Sequence, residues 1–165
     1  MNADKGPDIP DLSVPASVTE ADLRHMRKCI ELALRARASG DYPVGALVTR
    51  DGHVLGSGIE STHRLLDVAA HAEIEALRSA CRGTGTLDLT GATIYTTVEP
   101  CYLCSFAIRQ LGIARVVIGR LYPEAGGASS HHPILRDSGL TCWGPPPVIV
   151  TGVLLDECNA LFESP

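Results

Sequence analysis

His71-Ala72-Glu73 and, further along, Val98-Glu99-Pro100-Cys101-Tyr102-Leu103-Cys104 are the stretches on which the reading of this 165-residue chain turns. Cys101 and Cys104 stand three apart, so on a helix their sulfurs share one face and can grip one ion at about 2.3 Å each. His71 is the candidate third ligand. A structural zinc site closes its tetrahedron with a fourth side chain, whereas a catalytic site keeps that position for water. Glu73 is the residue placed to use the water. Pro100 suits the first turn of a helix, where its missing N–H costs nothing, and the free N–H groups there favour thiolate over thiol.

A C-x-x-C pair alone reads as a redox pair or as half of a structural zinc clip. His71 and Glu73 argue for the catalytic alternative, and the sequence holds no second C-x-x-C or H-x-x-x-H to close a structural site. Adjacent His131 and His132 lie in a stretch rich in Gly, Ser and Pro, and read either as extra ligands or as part of a loop or pocket rim. Two thiolates and an imidazole neutralise Zn²⁺, which still lowers the pKa of a bound water toward about 7. A nearby carboxylate can take the water's proton and pass it on to the substrate, serving as base and acid in turn.

Around these stretches the pattern is α/β. Thr19-Glu20-Ala21-Asp22 resembles a helix cap, and Leu23, Met26, Ile30, Ala33 and Leu34 follow helical spacing, predicting a first helix over 19–38. Gly45–Thr49 and His53–Gly58 flank Arg50-Asp51-Gly52, a hairpin signal. His71–Arg82 reads as a second helix with Ile74, Leu77 and Cys81 inward and Gly83 as its stop. Ala92–Val98 is a strand delivering Cys101 to a third helix that ends near Leu111. Arg115–Gly119 is a buried strand, so strand, helix and strand make a right-handed parallel crossover. Residues 121–147 form a long connection of the kind that is usually functional, before a short strand at 148–151 and a closing helix at 153–162.

Composition sets the remaining expectations. With 45% hydrophobic residues the chain supports one domain, expected over 16–165, behind a disordered lead at 1–15 that lacks the features of a signal peptide. No apolar run is long enough for a membrane span, and six cysteines, two of them committed to metal, suit a reducing cytoplasm. Cys29, Cys81 and Cys158 read as small core residues, and Cys142 is ambiguous. A net charge of −5 and only two lysines, Lys5 and Lys28, offer no evident basic face and disfavour nucleic acid as a partner, although Arg109, Arg115 and Arg120 could cluster.

The motifs resemble those of the cytidine deaminase superfamily, in the branch that holds tRNA adenosine, guanine and fungal cytosine deaminases. The resemblance runs from about Pro43 to Phe162 and rests on Pro43-Val44-Gly45-Ala46, His71-Ala72-Glu73-Ile74 and the Val98–Cys104 stretch. It implies a three-layer α/β/α sandwich around a five-stranded mixed sheet, a homodimer, Zn²⁺ held by His71, Cys101 and Cys104, Glu73 as proton carrier, and Ala72 N–H holding the substrate ring. The activity implied is hydrolytic release of ammonia from a small amino-heterocycle, nucleobase or nucleoside, with a cytosine-type pyrimidine or adenosine in tRNA as alternatives. The chain departs from the family at Glu60, where an asparagine is usual. An ionised carboxylate only accepts, so Glu60 either favours a substrate edge rich in N–H donors, such as a guanine-like purine, or points to solvent or Arg64. Phe106 replaces a usual glycine and either narrows the pocket or is core. Trp143 either stacks on a base or packs ordinarily.

Overall fold

The computed structural model describes residues 17–163, so the lead expected over 1–15 lies outside the described residues. Helix α1 (Glu20–Ala38) opens with a capping box in which Thr19 Oγ1 accepts the Asp22 N–H and the Asp22 carboxylate accepts the Thr19 N–H. Its buried face is Met26, Cys29, Ala33 and Ala36; Leu34, read from sequence as inward, is 48% exposed because the stripe runs through the small residues instead.

Strands β1 (Gly45–Arg50) and β2 (His53–Ile59) are antiparallel. Asp51 and Gly52 both carry positive φ at 52° and 78°, which matches the twist of a tight hairpin. A short helix, α2 (Thr62–Leu65), follows. Nothing local signalled it, because its first N–H groups are met from a distance: the Asp41 carboxylate accepts from His63 N–H at 2.7 Å and Arg64 N–H at 3.3 Å. Helix α3 (Ala72–Thr84) runs past Gly83 and stops at Gly85, whose φ of 71° supplies the left-handed cap. Strand β3 (Thr93–Val98), helix α4 (Tyr102–Gln110), strands β4 (Arg115–Arg120) and β5 (Val148–Val150) and helix α5 (Leu155–Ala160) complete the chain.

The sheet order is β2-β1-β3-β4-β5, antiparallel on the β2, β1, β3 side and parallel across β3, β4 and β5. Alternation along the strands divides the core in two. Ala46, Val48, Ile94, Val116 and Ile118 face one side with Ala72, Ala76 and Leu77 of α3 and Ile108 of α4. Leu47, Tyr95, Val117 and Val150 face the other with Met26 and Cys29 of α1 and Cys158 of α5. The result is the expected three-layer sandwich with a five-stranded mixed sheet. Helix α3 lies unusually close to β2: a Cβ on Gly56 would run into the backbone of Ala76 and Ala80, and one on Gly58 into that of Ala72 and Ala76. Those bare contacts fix how far α3 projects, and therefore where His71 sits.

The segment 121–147 contains one 3₁₀ turn (Thr141–Trp143) among its bends. Buried polar groups peg it down in place of a ladder. Glu99 accepts N–H groups from Tyr122, Ala128 and Ser129 and the Ser129 hydroxyl. Arg109 donates to the carbonyls of Ile134, Asp137, Leu140 and Gly144. The three arginines that the sequence suggested could cluster do not: Arg109 holds this segment, Arg115 pairs with Asp22, and Arg120 faces a cavity.

Candidate active site

Both helices that carry the motifs begin at the site. His71 occupies the N-cap of α3 and Cys101 the N-cap of α4, neither side chain capping its own helix, so both are free to turn outward together. Pro100 therefore stands one residue outside the helix and not in its first turn. Its carbonyl accepts the Gly127 N–H and the Ser105 hydroxyl. Ligand atoms of His71, Cys101 and Cys104 lie within 4.8 Å of one another.

The spacing fits zinc. His71 Nδ1 is 3.6 Å from Cys101 Sγ, and the two sulfurs are 3.7 Å apart. A tetrahedral ion with bonds of about 2.3 Å to sulfur and about 2.0 Å to nitrogen needs donor separations of roughly 3.5 to 3.8 Å. The hydrogen bond with Cys104, and then that with His71, holds the Cys101 thiol down at about 4 against the effect of its burial. The hydrogen bond with Cys101 lifts His71 to about 9 against the effect of its burial. Cys104 is pushed well up by its bond to Cys101 and by burial. A bound metal displaces such protons, since it takes thiolate and neutral imidazole.

Glu73 is 4% exposed on the first turn of α3, and burial pushes its carboxyl up to about 7. Its Oε2 is 3.6 Å from Cys104 Sγ. Thr96 Oγ1 stands 3.2 Å from Glu73 Oε1 and 2.8 Å from the Val98 carbonyl. With one hydroxyl proton, Thr96 donates to Val98 when Glu73 is protonated and to Glu73 when it is ionised. This partner on β3 was not read from the sequence; only the inward register of Ile94 to Thr97 could have pointed to it.

His71, Glu73 and Cys101 open onto a cavity of about 420 Å³ that also takes in Glu60, Tyr42, Arg120, Tyr122 and Phe162. Glu60 is 6% exposed, and its Oε2 accepts the Ala72 N–H at 3.4 Å. It does not pair with Arg64, whose guanidinium donates to Ser61 Oγ. Trp143 is not brought to this cavity: its ring meets Phe106 edge-on at 4.4 Å, and Phe106 is 45% exposed on α4, neither narrowing the pocket nor buried in the core. His131 and His132 are exposed, His132 against Tyr102, and neither joins the donor cluster. The aromatic rim of Tyr42, Tyr122 and Phe162 escaped the sequence reading because it comes from two distant loops and the segment after α5.

All six cysteines are free, with Cys29 and Cys158 buried, Cys81 half-buried and Cys142 exposed. Among the described residues no helix is long and apolar enough to cross a membrane.

Comparison with known proteins places this geometry. Residues 19–120 match the family described as the cytidine and deoxycytidylate deaminase zinc-binding region. A tRNA-specific adenosine deaminase of Aquifex aeolicus is 35% identical over 115 residues, 70% of this chain and 76% of the relative. A structure from a study of A-to-I editing by tRNA:A34 deaminases superposes with TM-score 0.78 at 30% identity, covering 84% of this chain and 99% of that one. The guanine deaminase of Bacillus subtilis gives TM-score 0.58 at 29% identity, covering 59% and 63%. The expectation from net charge that nucleic acid is disfavoured as a partner is not supported by such relatives, since net charge does not report a local binding face. With the family match spanning both motifs, a donor cluster of two thiols and one imidazole, and the sandwich fold, the chain belongs to the cytidine and deoxycytidylate deaminase zinc-binding family and is a zinc-dependent hydrolytic deaminase.

Proposed function

We propose that this enzyme deaminates adenosine in RNA, the alternative that the sequence alone ranked below a free guanine-like base. The observation that carries the reading is the likeness to the tRNA:A34 deaminase structure over 84% of this chain and nearly all of the other. His71, Cys101 and Cys104 would hold the zinc. Bound there, it supplies the Lewis acidity that lowers the pKa of a water toward about 7. Glu73 takes a proton from the attacking water, returns it to the ring nitrogen beside the amino-bearing carbon, and passes the second water proton to ammonia as the C–N bond breaks. Its burial suits the task, because a carboxyl near 7 both accepts and releases a proton at neutral pH. Thr96 follows each change by turning its single hydroxyl proton.

A second reading, a free amino-purine such as guanine, is favoured by Glu60, whose acceptor-only carboxylate lines the cavity where an N–H edge would dock. Zinc-loaded enzyme incubated with a tRNA mixture and, separately, with guanine, guanosine, adenine, adenosine, cytosine and cytidine decides between them. Inosine at one tRNA position with little ammonia from free bases supports the RNA reading. Rapid ammonia release from guanine, with tRNA unchanged, replaces it.

A further inference from the structure

Arg120 ends β4, and its backbone carbonyl accepts the Glu99 N–H at 2.8 Å, two residues before Cys101. Its backbone is therefore tied to the segment that leads to Cys101, and its guanidinium, which makes no side-chain contact of that kind, belongs to a residue lining the same cavity as His71 and Glu73. Among the described residues it makes no ion pair and donates no hydrogen bond. Glu99, the acid whose backbone pairs with it, is no partner, because its two oxygens are taken by three N–H groups and a hydroxyl. What Arg120 does have is a support. The Phe162 ring centroid lies 4.5 Å from its guanidinium carbon, a cation–π contact that supports the flat group from one side.

A half-buried guanidinium, supported by an aromatic ring and without a side-chain partner among the described residues, lines the reaction cavity in a form suited to take an anion by two parallel hydrogen bonds. The cavity's 420 Å³ is more than a bare base of about a dozen atoms needs and lies in the range of pockets that enclose larger ligands. We infer that Arg120, backed by Phe162, binds a phosphate ester attached to the target nucleoside, so that the preferred substrate carries the base in the depth of the cavity and a phosphate at its mouth. The inference rests on the deaminase reading for the base, but the phosphate contact stands on its own observations. Two sources share this chemistry: a mononucleotide and the backbone of an RNA strand.

The test measures binding to zinc-loaded Glu73→Gln protein, in which turnover is suppressed, using adenosine, adenosine 5′-monophosphate, adenosine 3′-monophosphate and an RNA hairpin with adenosine in its loop. With Arg120 intact, at least one phosphate-bearing ligand binds about 10- to 100-fold tighter than adenosine, the range of a charge-assisted hydrogen bond. Adding Arg120→Gln abolishes that advantage, and Arg120→Lys keeps part of it because it keeps the charge and loses the fork. An advantage confined to the hairpin assigns the phosphate to the RNA backbone; one shared by a mononucleotide assigns it to that. Zinc content and circular dichroism verify that each variant is folded. No advantage for any phosphate-bearing ligand, or an advantage that survives Arg120→Gln, overturns the proposal. Failure of the deaminase reading looks different: no ligand then yields ammonia with the unaltered enzyme, while the phosphate advantage persists.

Discussion

The Glu60 carboxylate accepts the backbone N–H of Ala72 at 3.4 Å, so the two groups expected to meet the substrate independently meet each other. Ala72 N–H belongs to the first turn of α3, and those first donors have no partner within the helix. Glu60 supplies one, beside His71 and Glu73. A substrate carbonyl that sought the same N–H would have to displace a buried carboxylate, whereas a substrate N–H could join it.

Substitution at Glu60 therefore changes preference as well as rate. Glu60→Gln keeps size and an acceptor oxygen but loses charge, and is expected to lower kcat/KM about 10- to 100-fold on the preferred substrate. Glu60→Asn, which supplies a donor as well, is expected to shift preference toward substrates offering a carbonyl or ring-nitrogen acceptor. Wild type and both variants ranked on one substrate panel provide the measurement. Identical rankings and rates would remove Glu60 from recognition.

The Asp22–Arg115 pair fixes α1 to the sheet, with the Asp22 side chain 1% exposed and also accepting from Thr19 and the Tyr95 hydroxyl. Burial works to raise the Asp22 carboxyl, but the Arg115 and Thr19 hydrogen bonds outweigh it and hold it well below the usual carboxylate range. A depressed folded-state value means the stabilisation is complete above the unfolded value of about 3.9 and is lost as pH falls below it. Asp22→Asn is expected to cost about 3 kcal/mol near neutrality, as for breaking a buried pair, and to flatten the acid limb of the stability curve. Denaturant melts of both proteins between pH 3 and pH 7 provide the check; parallel curves would contradict the assignment.

Much of this was legible in the chain because it is local. The Asp51-Gly52 turn, the Thr19–Asp22 cap and the alternating strands each depend on a few neighbouring residues, and each is found within a residue or two of its expected bounds. The donor cluster was legible because zinc restricts residue type and spacing together. Contacts between distant segments were not. Helix α2 exists through Asp41, the stop of α3 moved from Gly83 to Gly85, and Trp143 went to Phe106 and not to the cavity. The expectation against nucleic acid is not supported by the relatives, for the related reason that a charge total carries no position.

Arg109 gives the long segment its shape, and removing it should loosen that segment without unfolding the sheet. It is 1% exposed and binds four carbonyls between Ile134 and Gly144. In Arg109→Met, amide exchange is expected to accelerate across 134–144 while α1, β1 and β3 keep their protection and zinc stays bound. Exchange that rises uniformly would show the segment to be part of one cooperative unit with the sheet.

In the proposed mechanism His71, Cys101 and Cys104 hold the metal while Glu73, off the metal, carries the proton. Zinc content and turnover measured together on wild type, Cys104→Ala and Glu73→Gln address it most directly. The expected result is about one zinc per chain in wild type, loss of both zinc and activity in Cys104→Ala, and in Glu73→Gln full zinc with turnover lowered by roughly 10²-fold or more. Glu73→Gln that loses its zinc, or that keeps its turnover, would contradict it.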